Sequence, residues 1–345
     1  MKRIIKRTMK LFLIFLLTYA FLVVLINRWL PPAAVKGYQP SRKVEDVEAP
    51  PNQLKVVSWN LGYAGLGANA NFVADGGEDL LPIDRETVQR NAKAIAEKIA
   101  QFEADIVFLQ EAAGPSFINR NVDLRGMIQG ANSEMSSVYS ADVKSWLIPY
   151  PMKMDTGKLT LTKLPTTEAN GVLLPLEDTY YAGFLRREYR MVVSRLDIGE
   201  EKELVAINVH LAAFDDGSTR QEQVDEIIDF ANKEFQNGNY VMVGGDWNLR
   251  LTPTNFPHNT AEEHLFWLAD FPMDKVPEGW HLVADNKTPS VRTVHQAYTE
   301  GDNYVCTVDG YLLSPNLKAN KIENLDLGFQ NSDHQPATLT LKFLR

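Results

Sequence analysis

"GGDWNLR", residues 244–250, follows "NGNYVMV" (237–243), so an apolar run ends in two glycines, an acid, a tryptophan and an asparagine. An acid directly after two glycines at a strand end is either part of a turn or a side chain that a rigid element delivers to a fixed point. Whether other strands end the same way decides between them. "VVSWN" ends at Asn60, "VFLQE" at Glu111, "AINVH" at His210 and "CTVD" at Asp309, and "NSDH" (331–334) precedes the last strand. Each alone has an ordinary explanation, because Asp and Asn make turns and caps and a lone His is more often hydrogen-bonded core. Six in one chain, in this order, imply polar groups that apolar strands bring to one cleft.

Outward from these ends, short β-rich runs alternate with helical ones. "LKVVSWN" and "DIVFLQE" flank "RETVQRNAKAIAEKIAQF", in which Val88, Ala92, Ile95, Ile99 and Phe102 recur at helical spacing. "YRMVVSRLDI" and "KELVAINVHL" read as a strand pair turned at "GEE". The next helix, "STRQEQVDEIIDFANKEFQNG", has Ser218 and Gln221 in capping-box spacing and Gly238 as a stop. "YVMVGGD", "YVCTVDGYLL" and "PATLTLKFL" complete the strand candidates. Adjacent hairpins mixed with helices predict an α/β protein with mixed or antiparallel sheets rather than a purely parallel one.

At 345 residues, 45% hydrophobic and 23% charged, the chain is neither disordered nor fibrous. "MKRIIKRTMK" carries five basic residues and no acid, and Leu11 to Ile26 is apolar apart from Thr18 and Tyr19. That run approaches the ~20 residues of a spanning helix, with Arg28 and Trp29 suited to an interface. Residues 1–30 read as an uncleaved signal anchor with the amino end inside and the rest extracytoplasmic; the alternative is secretion after cleavage near "PPAAV" (31–35), where prolines make a poor site. Residues 31–52 hold five prolines without apolar periodicity and read as a linker, which leaves 53–345 as the catalytic domain. The single cysteine, Cys306, excludes an intramolecular disulfide and reads as a small core residue. Without its first thirty residues the chain has 29 basic against 44 acidic residues, a net of −15. That balance weighs against a nucleic-acid binder, whose affinity rests on a basic footprint.

The series "SWN", "LQE", "NVHL", "GDWN" and "SDH", spread over roughly Leu54 to Leu344, resembles the endonuclease/exonuclease/phosphatase superfamily of metal-dependent phosphoesterases. The resemblance implies a DNase I-like four-layer α/β sandwich, two stacked mixed sheets flanked by helices, here preceded by one transmembrane helix. It also implies a Mg²⁺ cofactor, with Mn²⁺ as a substitute, because a hard cation takes carboxylate and amide oxygens and neutralises phosphate charge. By that resemblance Glu111 is the principal metal ligand, with Asn60 beside it and Asp333 available to a first or second ion. Asp246 activates the water and Asn248 holds it or a phosphate oxygen. His334 donates to the phosphate, Asp309 orients it, and His210 is a second donor. No Ser or Cys nucleophile belongs to the set, so water attacks directly. Arg190 in "REYR" matches the family's phosphate-contacting arginine, with Tyr189 as a further substrate contact and Arg187 three residues away as the competing choice. Arg292 in "TPSVRT" reads as a loop arginine, and His258, His264, His281 and His295 as structural.

Inositol polyphosphate 5-phosphatases have a Trp-Cys-Asp-Arg signature where this chain has "CTVDGYLL", which argues against that subfamily. The glycine-rich stretch 61–84, with "DGG" at 75–77, is an insertion beside the cleft and, with "TPSVRT" and "VDGYLLSPN", looks similar to uncharacterised bacterial members. The leading expectation is a membrane-anchored phosphoesterase acting on a phospholipid headgroup or a small phosphate ester, with no protein partner. A surface nuclease is the alternative, disfavoured by charge. A non-catalytic binding module ranks last, because it should have lost the ligands that are all present here.

Overall fold

Alternation along the strand-like runs sends successive side chains to opposite faces, and in the computed structural model this builds two stacked six-stranded sheets. The structure describes residues 2–33, 35, 51–176, 180–181, 183–199, 201–213 and 217–344. In chain order come α1 (Lys2–Trp29), β1 (Gln53–Asn60), α2 (Arg85–Gln101), β2 (Ile106–Gln110) and α3 (Leu124–Ala131). There follow β3 (Ser136–Lys144), β4 (Asp155–Thr162), β5 (Thr166–Leu173), β6 (Tyr180–Tyr181), β7 (Leu185–Arg186), β8 (Arg190–Asp197) and β9 (Glu203–His210). The chain continues through α4 (Ser218–Gln236), β10 (Tyr240–Asp246), β11 (His281–Val283), β12 (Val291–Arg292), β13 (Val305–Cys306), β14 (Asp309–Leu313), β15 (Leu317–Asn324) and β16 (Ala337–Phe343).

One sheet has the order β15-β16-β1-β2-β4-β3 and the other β11-β14-β10-β9-β8-β5. Each contains one parallel pair, β1 with β2 and β9 with β10, and both sheets are otherwise antiparallel. Three apolar layers separate the elements. Helices α2 and α3 cover the first sheet through Val88, Ile95, Ile99, Leu124 and Ile128 against Leu109, Leu159 and Leu161. Helix α4 covers the second through Val224, Ile227 and Ile228 against Ile207, Val209 and Val243. Between the sheets lie Leu54, Val56, Ile106, Phe108, Met242, Leu313 and Leu341, each contributing about 1.5–3 kcal/mol by complete burial.

That middle layer becomes polar toward one edge. Gln110 Nε2 donates to Asn208 Oδ1 at 2.8 Å, and Asn208 Nδ2 reaches Thr160 Oγ1 at 3.3 Å, a fully buried pin from sheet to sheet. Burying such amides unpaired costs several kcal/mol, so the pin fixes how the sheets sit on each other.

The expected four-layer sandwich is therefore present, and Cys306 is a fully buried core residue. Three local expectations change. "YVCTVDGYLL" is two strands, β13 pairing with β12 and β14 with β10. The α4 N-cap is Gly217 at φ 96°, not Ser218, so the capping-box reading fails, while Gly238 at φ 87° does end the helix. Most of the predicted linker, residue 34 and residues 36–50, lies outside the described residues. Its first residues are not a free tether: Ala33 O accepts from Ala141 N of edge strand β3, and Val35 O from Gly171 N of edge strand β5. Helix α1 is apolar and long enough to cross a membrane, and its apolar window is unburied by the rest of the chain.

Candidate active site

Strand direction carries the site's residues to one edge. β1 and β2 run parallel, so Asn60 and Glu111 leave the first sheet together, and β16 runs antiparallel to β1, so Asp333 and His334 enter there. In the second sheet Asp246 pairs in register with His210 on one side and with Asp309 on the other. Residues on one rung share a face, and this rung faces the first sheet.

The two glycines make the approach possible. A Cβ on Gly244 would lie 2.5 Å from the Tyr311 ring, and one on Gly245, at φ 148°, would lie 2.1 Å from Val209 O. Trp247 then packs away from the cleft, edge-on to Phe271 at 5.4 Å. Asp246 and Asn248 line an open cleft of about 690 Å³ with Asn60, Glu111, His210, Asp333 and His334.

Asp246 is the hub. Asn60 Nδ2 donates to its Oδ2 at 2.9 Å and the Asn248 N–H to its Oδ1 at 2.8 Å. The same Oδ2 lies 3.6 Å from His210 Nε2 and 3.7 Å from His334 Nε2, too far for direct bonds and close enough for a shared oxygen between them. His334 Nδ1 donates to Asp309 Oδ2 at 2.8 Å, and Asp309 stands behind it rather than in the cleft. Burial opposes a charge on His334, yet Asp309, Asp246 and Asp333 push its pKa up to about 10, which makes it a proton donor at neutral pH. His210 goes the other way: burial, then Lys158 and Arg187, hold it well below the usual value and neutral.

A second carboxylate group sits opposite. Burial and then the charge of Asp333 push Glu111 up to about 8, against a 2.8 Å hydrogen bond from the Tyr63 hydroxyl. Burial likewise raises Asp333. Glu111, Asn248 and Tyr63 all adopt positive φ, at 53°, 49° and 54°, and all line the cleft. Strained backbone of this kind persists where the surroundings fix it, and it gathers at functional sites.

Two substrate-contact expectations are corrected. Arg190 lies outside the cleft, its guanidinium paired with Glu188 and donating to Ala141 O at 3.2 Å. Tyr189 is buried in the layer under α4, with the Arg187 guanidinium 4.6 Å above its ring. Arg187 is the arginine that lines the cleft. Arg292 also borders it, but its guanidinium donates to the carbonyls of Gly67, Thr293 and Gln296, which straps the 61–84 insertion in place. Through that insertion Leu66, Phe72 and Asp75 enter the cleft wall, so "DGG" is at once a turn and part of the site. The Asp75 carboxylate accepts from Val294 N at 2.8 Å, and burial followed by Asp333 pushes it up to about 6.

Residues 57–301 match the model of the Endonuclease/Exonuclease/phosphatase family. The chain belongs to this family. Solved structures of the family's fold align at low identity. An endonuclease/exonuclease/phosphatase from Beutenbergia cavernae is 16% identical, covering 85% of this chain and 72% of its own at a TM-score of 0.55. Truncated TDP2 from Caenorhabditis elegans is 17% identical over 84% and 98% at 0.52. The human Nocturnin catalytic domain, solved with a bound sulfate anion, is 15% identical over 85% and 95% at 0.51. No curated protein sequence matches.

Enzymes of the endonuclease/exonuclease/phosphatase family hydrolyse phosphoesters and are typically dependent on a divalent metal. Donor atoms of Asp246, Asp309 and His334 lie within 4.8 Å of one another, a spacing one ion could bridge. His334 Nδ1 is already engaged by Asp309, whereas half-buried Glu111 and buried Asp333 are like charges that raise one another's cost. A hard cation fits the second group better, because it relieves that repulsion and is met by oxygen alone. The sequence reading places Asp75, within "DGG", only as a turn or cleft-lining position, and misses Tyr63; a tyrosine inside a glycine-rich stretch directly after Asn60 was the available signal.

Proposed function

We propose that the chain is a Mg²⁺-dependent phosphoesterase that cleaves a phospholipid headgroup or a small phosphate ester by direct attack of water, on the outer face of a membrane. The observation that carries this reading is Asp246 Oδ2, fixed by Asn60 and flanked by one neutral and one protonated imidazole, beside two carboxylates, half-buried Glu111 and buried Asp333, where desolvation and mutual repulsion raise Glu111. Glu111 and Asp333, with Asn60 beside them, would hold the ion, which supplies positive charge to the phosphate oxygens. Asp246 orients and deprotonates the water. Asn248 donates its Nδ2 to Leu211 O at 2.9 Å, leaving its Oδ1 to face that water. His334, held by Asp309, donates to the phosphate, neutral His210 is a second hydrogen-bond donor, and Arg187 takes the phosphate contact expected of Arg190. The catalytic domain is 53–345 on this reading, with α1 as its anchor.

The test is a panel of phosphodiesters, phospholipids, phosphoinositides and plasmid DNA, offered to the full chain in detergent with and without Mg²⁺. Metal-dependent turnover of an ester other than DNA is expected. Turnover that survives Asp246→Ala refutes the assigned roles, and digestion of DNA alone replaces the reading with that of a nuclease.

A further inference from the structure

The loop between β3 and β4 reads "SWLIPYPM" over residues 145–152, without a charge, between Lys144 and Lys153. Trp146 and Ile148 are half-buried, but three of its large apolar side chains are not folded inward. Leu147 is 56% exposed, Tyr150 67% and Met152 53%. Three large apolar groups on one short loop form a surface patch of the kind that marks a partner.

Its neighbour identifies the partner. The Asn27 side chain donates to Trp146 O at 2.7 Å and accepts from Trp146 N at 2.6 Å, so the end of α1 is clamped to the start of the loop. Trp146 Nε1 also donates to Pro31 O at 3.3 Å, and the Tyr19 hydroxyl donates to Leu147 O. Tyr19 precedes Asn27 by eight residues, about 12 Å along a helix axis. It lies within the apolar run Leu11 to Ile26, so when α1 spans a bilayer Leu147 lies beside lipid rather than above it. A charge-free loop with flanking lysines suits that depth, since lysine stems let their ammonium groups return to the headgroups.

We propose that the β3–β4 loop is a second membrane contact, seated in the lipid interface beside α1, and that it holds the cleft against the bilayer. Ile148 joins Val143, Met154, Ile118 and Leu185 in an apolar cluster that ends on Tyr63 and Phe72, both in the cleft wall. The site is thus connected to the lipid-facing loop by packed side chains. On the phosphoesterase reading, upon which this consequence rests, the ester arrives from the lipid surface rather than from solution.

Full chain is reconstituted in phosphatidylcholine and phosphatidylglycerol vesicles after Tyr150→Cys, Met152→Cys or Glu278→Cys, each labelled with an environment-sensitive dye. The native Cys306 is fully buried, and Glu278 is an exposed control on the second sheet's side. Labels at 150 and 152 are expected to be quenched about threefold more by nitroxide lipid than the label at 278, and less by aqueous iodide. Equal iodide quenching at all three positions overturns the proposal. In a second arm Tyr150→Glu with Met152→Glu is expected to slow turnover of vesicle phospholipid about tenfold while bis(p-nitrophenyl) phosphate turns over unchanged. An equal effect on both esters, or on neither, overturns delivery from lipid. If the wild type cleaves neither ester, the phosphoesterase reading falls, and the quenching result still decides the loop.

Discussion

At one end of the layer between the sheets, Ala206, Met242 and Leu313 share a rung that packs on Val56 and Leu341; at the other, His210, Asp246 and Asp309 share a rung that faces Asn60. The same three strands make both, four residues apart along each strand. The apolar rung gains free energy by burial. The polar rung loses it, because charges are held out of water by a frame that does not relax around them. The difference teaches that stability and chemistry are separable along a strand, and variants at each end should move different measurements.

The largest effect is expected at the polar end. Asp246→Ala should lower kcat/KM by about 10²–10⁴-fold with an unchanged or raised urea midpoint. His334→Ala should lower kcat/KM as far and the midpoint too, because it leaves Asp309 buried without its partner. A chelator should likewise abolish turnover without unfolding the chain, and added Mg²⁺ should restore it while raising Tm. Met242→Ala at the apolar end should cost about 2–5 kcal/mol in urea unfolding and leave kcat nearly unchanged. If its kcat falls as far as that of the polar variants, the two ends are not separable. Between them, Gly245→Ala should do both, costing about 1–3 kcal/mol as the new methyl meets Val209 O and displacing Asp246 next to it, read as parallel loss of midpoint and kcat.

The smallest effect lies outside the layer and serves as its contrast. Burial alone would raise the Asp155 carboxyl, but Arg125, at 3.0 and 3.2 Å, and the Tyr139 hydroxyl hold it below the usual value. Its stabilisation is complete above the unfolded value of about 4 and is lost as pH falls through the folded value. Asp155→Asn should therefore lower the urea midpoint at pH 7 and remove part of its decline below about pH 4.

What could be read beforehand follows from the same contrast. Strand ends such as "VVSWN" and "VFLQE" were legible because apolar runs stop abruptly at a polar group. The strand "DTGKLTLT" was not, since its face toward the other sheet is Lys158 and Thr160 and only Leu159 and Leu161 mark it. The choice between Arg187 and Arg190 depends on which one Glu188 neutralises, a contact no spacing reveals. Loop 145–152 resembles any proline-rich connection until α1 is seen beside it.

The rung of His210, Asp246 and Asp309 has a consequence for anyone who refolds this chain. A slip of one residue in either pairing would keep the strands and their spectroscopic signature yet turn one of the three side chains to the α4 face. Circular dichroism would pass such a sample. Turnover would not, so the enzyme's own rate is the most stringent report of whether its strands have paired correctly.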